Sequence, residues 1–424
     1  MKKRIAERKL TVIKGKAWGL DVRLTLNDGR KIAAELTIEP VLPVQVIRNE
    51  YTSMPLYRLN GGWNAEGIRP KELLAQNSAL YRAIHPETLR VENEEGTVFQ
   101  FGLDYIADPH WCVVGRLEGG RIRPEEKVYL SFTYQTPRLD AIVLRADDTV
   151  CQKPGIPDFA VPKPTQATGD EELIGRIYFY EKQYCLTDEM IFPLVEETFH
   201  DSVPPEIPEK LLPQTLKKLR AGGLFRLLAW GDSVTEAVYL PDAERWPDRL
   251  AAFLYERFPK AEIELVNRGW GGRTTASFME EPPGSPHNYL EKIVNSGADL
   301  VVTEFVNDAC VFTEKQFHEV YGRILSDFRA RNMEWLILTP HLIRPDWMGA
   351  SSQKGYEDDP RPFIRMLRKF AADNGIPLAD AAKRYCHLWK EAIPHNSLMV
   401  NAINHPDERG MTIFLEALKE FFPE

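Results

Sequence analysis

The sequence predicts an α/β domain built on a parallel sheet over its carboxyl-terminal half, preceded by an antiparallel β-sandwich. Two observations carry this. From Leu224 onward, short apolar runs alternate with stretches of helical periodicity, which requires a parallel sheet with helices on both faces. Over residues 1–150, apolar residues instead recur at every second position between turn signals, as in a twisted antiparallel sandwich.

In the first half, Leu20, Val22, Leu24 and Leu26 alternate with polar residues, Asp28-Gly29 follows, and Ile32, Ala34, Leu36 and Ile38 resume the period of two. This predicts a β-hairpin, with Asp-Gly supplying a tight turn. Phe99, Phe101, Leu103 and Tyr105 predict another strand, as do Val128, Leu130, Phe132 and Tyr134. No catalytic constellation stands out here. Trp63 and Trp111 are large enough to stack on sugar rings, although tryptophans in a β-domain more often fill the core. The proline-dense stretch from Pro154 to Pro213 opposes helix interiors and central strands, so residues 151–222 read as a connector with short structured pieces. Within it, the aromatic segment Tyr178 to Tyr184 either returns to the sandwich or packs between domains, and Leu211 to Leu219 reads as a short amphipathic helix.

The second domain, residues 223–424, opens with the apolar run Leu224 to Trp230, a strand buried on both faces that stops at Gly231-Asp232-Ser233. Trp246, Leu250, Phe253, Leu254 and Phe258 share one helical face. Ile263 to Val266 and Leu300 to Phe305 are further strands, and Thr313 with Gln316 forms a capping box for the next helix. Trp335 to Thr339 is a fourth strand. Asp359-Pro360 starts a helix that Gly375 is placed to stop, Ile376 to Ala379 is a fifth strand, and Met411 to Phe422 is a closing helix.

Composition narrows the function. A chain of 424 residues predicts two or three domains, and a formal charge of -9 argues against nucleic acid or anionic membrane as the main partner. No apolar segment reaches the roughly 18 residues needed to span a bilayer. The basic amino terminus lacks an apolar stretch of signal-peptide length, and the 5 cysteines are dispersed without a C-x-x-C pair; both fit a cytoplasmic protein. The histidines show no metal-ligand spacing, so neither metal nor other cofactor is expected.

Three successive strand ends deliver polar groups: Ser233, Gly272 and Asn307. In a parallel sheet these ends lie along one edge, where ligands bind. Convergence there suits acyl transfer, in which a hydroxyl attacks a carbonyl and the oxyanion meets pre-aimed donors, each worth about 10²–10³ in rate. The backbone N–H groups of Ser233 and Gly272 and the Asn307 amide would be those donors. His405, on a loop before the last helix, is the candidate base. On its own, the first strand end has an equally good plain reading, since Asp232 and Ser233 also cap helices.

These blocks, Gly231-Asp232-Ser233-Val234-Thr235, Asn267-x-Gly269-x-x-Gly272, Asn307-Asp308 and His405-Pro406 followed by Gly410, resemble those of the SGNH (GDSL) hydrolases, in the same order. The resemblance covers about residues 223–424. It implies a three-layer α/β/α flavodoxin-like domain and a serine esterase whose nucleophile is Ser233, whose base is His405, and whose oxyanion hole is Ser233, Gly272 and Asn307. A β-sandwich joined to such a domain also resembles carbohydrate esterases that remove acetyl groups. Two departures stand out: Phe305 replaces a glycine and should crowd the pocket floor, and Ala402 stands where the family commonly has the triad aspartate. A Ser-His dyad is therefore expected, with Asn401 or a backbone carbonyl near Ala402 orienting His405. Asp232, Trp270, Arg273 and His341 are candidates for lining the substrate pocket.

The expected function is hydrolysis of acetyl or other short acyl esters, of carbohydrates in particular, through an acyl-enzyme and without a cofactor. The same chemistry leaves lysophospholipase, thioesterase or acyltransferase activity open, and the missing aspartate leaves open a non-catalytic carbohydrate-binding protein. Glycan binding, shaping of the pocket rim and self-association into a homo-oligomer are all compatible with the sandwich.

Overall fold

The computed structural model describes residues 4–59 and 65–424, so Trp63 lies outside the described residues. The chain divides into two compact units, Met1–Glu197 with Trp389–Ile403, and Thr198–Leu388 with Asn404–Glu424.

The first unit is built mostly of antiparallel sheets. The hairpin forms as the alternation predicts: Gly19–Leu26 pairs with Lys31–Thr37 on one side and with Ile5–Val12 on the other. Its inward side chains Leu20, Val22, Leu24 and Leu26 pack against Ile142, Leu144, Ile174, Ile177 and Phe179 of a four-stranded sheet, which makes the sandwich. Each such side chain contributes about 1.5–3 kcal/mol on burial. Val128–Tyr134 also forms as expected, between Val44–Tyr51 and Arg90–Glu92.

Two expectations fail in this unit. Phe99 to Tyr105 is not a strand. Gly102 turns the chain, the Asp104 carboxylate accepts the Gln100 N–H at 2.7 Å, and pairing begins only at Tyr105–Asp108, which leaves Phe101 and Leu103 exposed. The stretch 151–222 is not a connector throughout either. Val150–Lys153, Glu172–Phe179 and Ile191–Pro193 complete the four-stranded sheet around Arg138–Leu144, with the proline confined to the edge strand where no ladder hydrogen bond is lost. The aromatic segment thus begins inside the sandwich, and Trp111 is buried with Ala65, Val113 and Ile403.

The second unit carries a five-stranded parallel sheet. Its strands are β1 (Gly223–Gly231), β2 (Ala261–Gly269), β3 (Leu300–Glu304), β4 (Glu334–Leu338) and β5 (Leu378–Ala379), in the order β2-β1-β3-β4-β5. The chain reverses direction of travel at β1, so the crevice beyond its carboxyl end is the topological switch point where ligands bind in such sheets. Helices Trp246–Arg257, Glu314–Arg329, Pro362–Asn374 and Glu408–Leu418 alternate with the strands. The Thr313/Gln316 capping box is present, and Gly375 ends its helix in the left-handed conformation. Among the described residues, no helix is long and apolar enough to cross a membrane.

Candidate active site

The site is built where β1 ends. A Cβ on Gly231 would lie 1.9 Å from Thr235 Oγ1 and 2.3 Å from the Glu304 carbonyl oxygen, so only glycine lets the chain turn here between β1 and β3. Asp232 then caps the short helix Ser233–Glu236, accepting the Val234 N–H at 3.0 Å. Its second oxygen accepts the Asn307 N–H at 2.8 Å. One fully buried carboxylate thereby ties the first strand end to the third. Asp232 was a candidate for the pocket lining; the structure places it underneath, as the brace.

The second strand end is fastened to the same helix. A Cβ on Gly269 would come within 2.1 Å of the Glu236 nitrogen, so the backbones touch. The Asn267 amide donates to the Thr235 carbonyl at 2.9 Å, and Glu236 Oε2 accepts the Gly271 N–H at 2.8 Å, next to Gly272. The half-buried Asn307 donates through Nδ2 to the Arg273 carbonyl at 3.1 Å. The loops carrying Ser233, Gly272 and Asn307 are thus held to one another by hydrogen bonds that involve no substrate.

His405 completes the group. Its Nε2 lies 3.0 Å from Ser233 Oγ, the hydrogen-bond distance a general base needs. The imidazole is buried, and burial lowers its pKa to about 4, so it is neutral and able to accept a proton at physiological pH. At the ends of the first and third strands lies a group of buried acids. Burial raises Asp308 to about 7, where its carboxyl accepts from Thr275 N, Thr275 Oγ1 and Tyr321 Oη. Burial and the neighbouring Asp232 push Glu304 well above the carboxylate range. Of that pair, Glu304 keeps the proton, because Asp232 accepts two backbone N–H bonds and Glu304 only the Thr235 hydroxyl at 3.3 Å.

The remaining candidates are placed as follows. Trp270 stacks on His287 with ring centroids 4.1 Å apart and carries the Arg273 guanidinium 4.8 Å from its ring centre, leaving Arg273 exposed beside Gly272. His341 is fully buried against Tyr385 and Phe414, in the interior and not on a pocket wall. Phe305 is also interior: its ring meets Trp230 and Phe278 edge-on, so it fills the core and does not crowd the pocket floor. Asn401 belongs to the segment counted with the first unit, where its Oδ1 accepts the Ile403 N–H at 3.0 Å, and Ala402 is left-handed with φ 57°. Glu236, Glu304, Thr275 and Tyr239, which stacks on His405, were not singled out from sequence. Of these, Glu236 follows the first recognised block directly and Glu304 precedes Phe305. Among the described residues, no cluster of three or more His, Cys, Asp or Glu side chains could hold a metal ion.

A family profile, that of the GDSL-like lipase/acylhydrolase family, matches residues 229–413. Among solved structures, the chain is similar to a two-domain esterase active on acetylated mannans, at 18% identity and a TM-score of 0.39, covering 50% of this chain and 52% of that one. It is also similar to a variant of an acetyl xylan esterase from Geobacillus stearothermophilus, at 17% identity and a TM-score of 0.38, covering 47% of this chain and 95% of that one. The match therefore spans about half the length of the two-domain esterase. No curated protein matches the chain. Residues 229–413, which carry most of the β2-β1-β3-β4-β5 sheet and the four blocks at its edge, thus match the GDSL-like lipase/acylhydrolase family.

Proposed function

We propose that this protein is a serine esterase that removes acetyl or other short acyl groups from carbohydrates. The observation that carries the proposal is the 3.0 Å approach of His405 Nε2 to Ser233 Oγ at the switch point of the sheet. Ser233 Oγ attacks the ester carbonyl while its proton passes to Nε2. The oxyanion is met by the N–H groups of Ser233 and Gly272 and by the Asn307 amide. His405 then returns the proton to the leaving alcohol oxygen, and water, deprotonated by the same nitrogen, hydrolyses the acyl-enzyme. Every step is a proton or acyl transfer, and neither metal nor redox cofactor enters. Arg273 and Trp270, beside Gly272, are the residues best placed to meet the alcohol portion.

The preference for acetylated sugars rests on the pairing of a β-sandwich with this hydrolase domain, an arrangement that resembles carbohydrate esterases. A cytoplasmic location belongs to the same proposal, in keeping with 5 cysteines that are all free. Purified protein should hydrolyse p-nitrophenyl acetate, and Ser233→Ala should lose that activity to near the uncatalysed rate. Equal rates from the two proteins would overturn the enzyme in favour of a binding protein. Acetate release from acetylated sugars, set beside a p-nitrophenyl ester series of increasing chain length, separates a sugar esterase from a lysophospholipase or thioesterase. Transfer to an added sugar acceptor would identify an acyltransferase.

A further inference from the structure

Given the Ser233 and His405 roles proposed above, we propose that Tyr239 is a positioning residue of the base: its ring fixes the plane of the imidazole and faces it as it becomes a cation. His405 and Tyr239 lie parallel, 1° between ring planes and 4.5 Å between centroids, while the imidazole edge bearing Nε2 points to Ser233 Oγ at 3.0 Å. Parallel planes at that separation describe an offset stack, a favourable geometry for two aromatic rings. A flat contact resists rotation of the imidazole out of its plane, and such rotation would carry Nε2 away from the serine.

Tyr239 is itself well anchored to the nucleophile. It follows the helix Ser233–Glu236 closely, after Ala237 turns the chain in the left-handed conformation and accepts the Leu240 N–H at 2.9 Å. Nucleophile and stacking ring therefore ride on one short, rigid piece of chain. The Tyr239 hydroxyl is buried and makes no hydrogen bond to the protein, so the ring face, and not the hydroxyl, is what the site uses.

The strongest influences on Tyr239 are burial and the neighbouring Glu304, Tyr385, Asp232 and Asp407, which hold its phenol neutral. When the Ser233 proton moves to Nε2 as the Oγ–acyl bond forms, the imidazolium gains the π face of Tyr239 at a site only 7% exposed. Cation–π attraction is strongest when desolvated in this way. Tyr239 neither gives nor takes a proton, and the charge returns to neutral when His405 protonates the leaving alcohol.

The test uses full-length protein, p-nitrophenyl acetate, and the variants Tyr239→Leu, Tyr239→Phe, His405→Ala and the double variant His405→Ala/Tyr239→Leu. Leucine keeps apolar bulk and removes the ring. Tyr239→Leu should lower kcat about 30-fold, the rate equivalent of one desolvated cation–π contact, with KM little changed. Tyr239→Phe should keep the parent kcat. The double variant should be no slower than His405→Ala, because a residue that acts through another adds nothing once that partner is gone. A parent-like Tyr239→Leu, a Tyr239→Phe as impaired as the leucine variant, or a further loss in the double variant would each overturn the proposal. Thermal melts accompany the rates, each measured well below the variant's own midpoint; a Tyr239→Leu that regains full kcat there also counts against it. A fully active His405→Ala would instead bring down the Ser233–His405 mechanism itself.

Discussion

The two units differ in how they bury some of their acids. In the first, Asp140 is completely buried and held by the equally buried Arg138 through bonds of 2.8 and 2.9 Å. Glu92 lies between Arg48 and Arg90, and Asp104 is gripped by Arg121. In the second, Asp232, Glu304 and Asp308 are just as buried, yet the bonds they accept come from backbone N–H groups, hydroxyls and no cation. The Asp359–Arg361 pair in the same unit shows that a buried guanidinium is compatible with this fold. A buried pair is costly to break, whereas burial without a bonded cation raises the pKa of Asp232, Glu304 and Asp308. This set sits at the ends of the first and third strands, Asp232 next to Ser233 and Asp308 next to Asn307, at the candidate site, and perturbed groups of this kind cluster at functional sites.

This contrast can be broken in three places, taken from the largest expected effect downward. Asp140→Asn leaves Arg138 buried without its counter-charge and should cost about 3–5 kcal/mol in urea unfolding. A loss below about 1 kcal/mol would show that the pair is no more committed than the acids of the other unit. The next effect concerns pH. Burial favours the neutral imidazole of His405, and that neutral form is the base in the proposed mechanism. The acid limb of kcat/KM should therefore have its midpoint well below 6.5, near about 4, with activity lost only as pH falls through that value. A midpoint at or above 6.5 would mean that the free enzyme stabilises the imidazolium after all. The smallest effect is expected for Glu304→Gln. If Glu304 already carries its proton, the neutral isostere should change unfolding free energy by no more than about 0.5 kcal/mol near neutral pH. A cost rivalling that of Asp140→Asn would make Glu304 an ionised, structural acid.

The fold of the hydrolase unit was legible because its signals are local. Strands that are continuously apolar, the Thr313/Gln316 box and the glycine after the Asp359 helix each act within a few residues of themselves. The positions of Ser233, Gly272 and Asn307 followed from strand ends alone, since a parallel sheet brings such ends together whatever the intervening chain does. The first half was harder to read. Alternation from Phe99 to Tyr105 matches a strand, but side-chain capture of backbone N–H groups by Asp104 and the turn at Gly102 override it. Proline density concealed the strand Glu172–Phe179, which is itself free of proline and pairs as an interior strand. Tyr239 carried no sequence signal, because stacking on His405 is decided by folding alone. Asp232 was visible as a cap, whereas its second bond, to Asn307 across the sheet, was not.

The segment Trp389–Ile403 has a consequence for biosynthesis. It belongs to the first unit, where Val195 N–H donates to the Lys390 carbonyl at 2.7 Å and Arg176 reaches the carbonyls of Glu391 and Ala392, each at 3.3 Å. A ribosome emits the chain from its amino terminus, and domains commonly fold in the order they emerge. Here the sandwich precedes residues 198–388 in the chain, yet lacks this piece until they too have been made. His405 follows directly behind, so the nascent chain completes the sandwich and receives the proposed base within moments of each other.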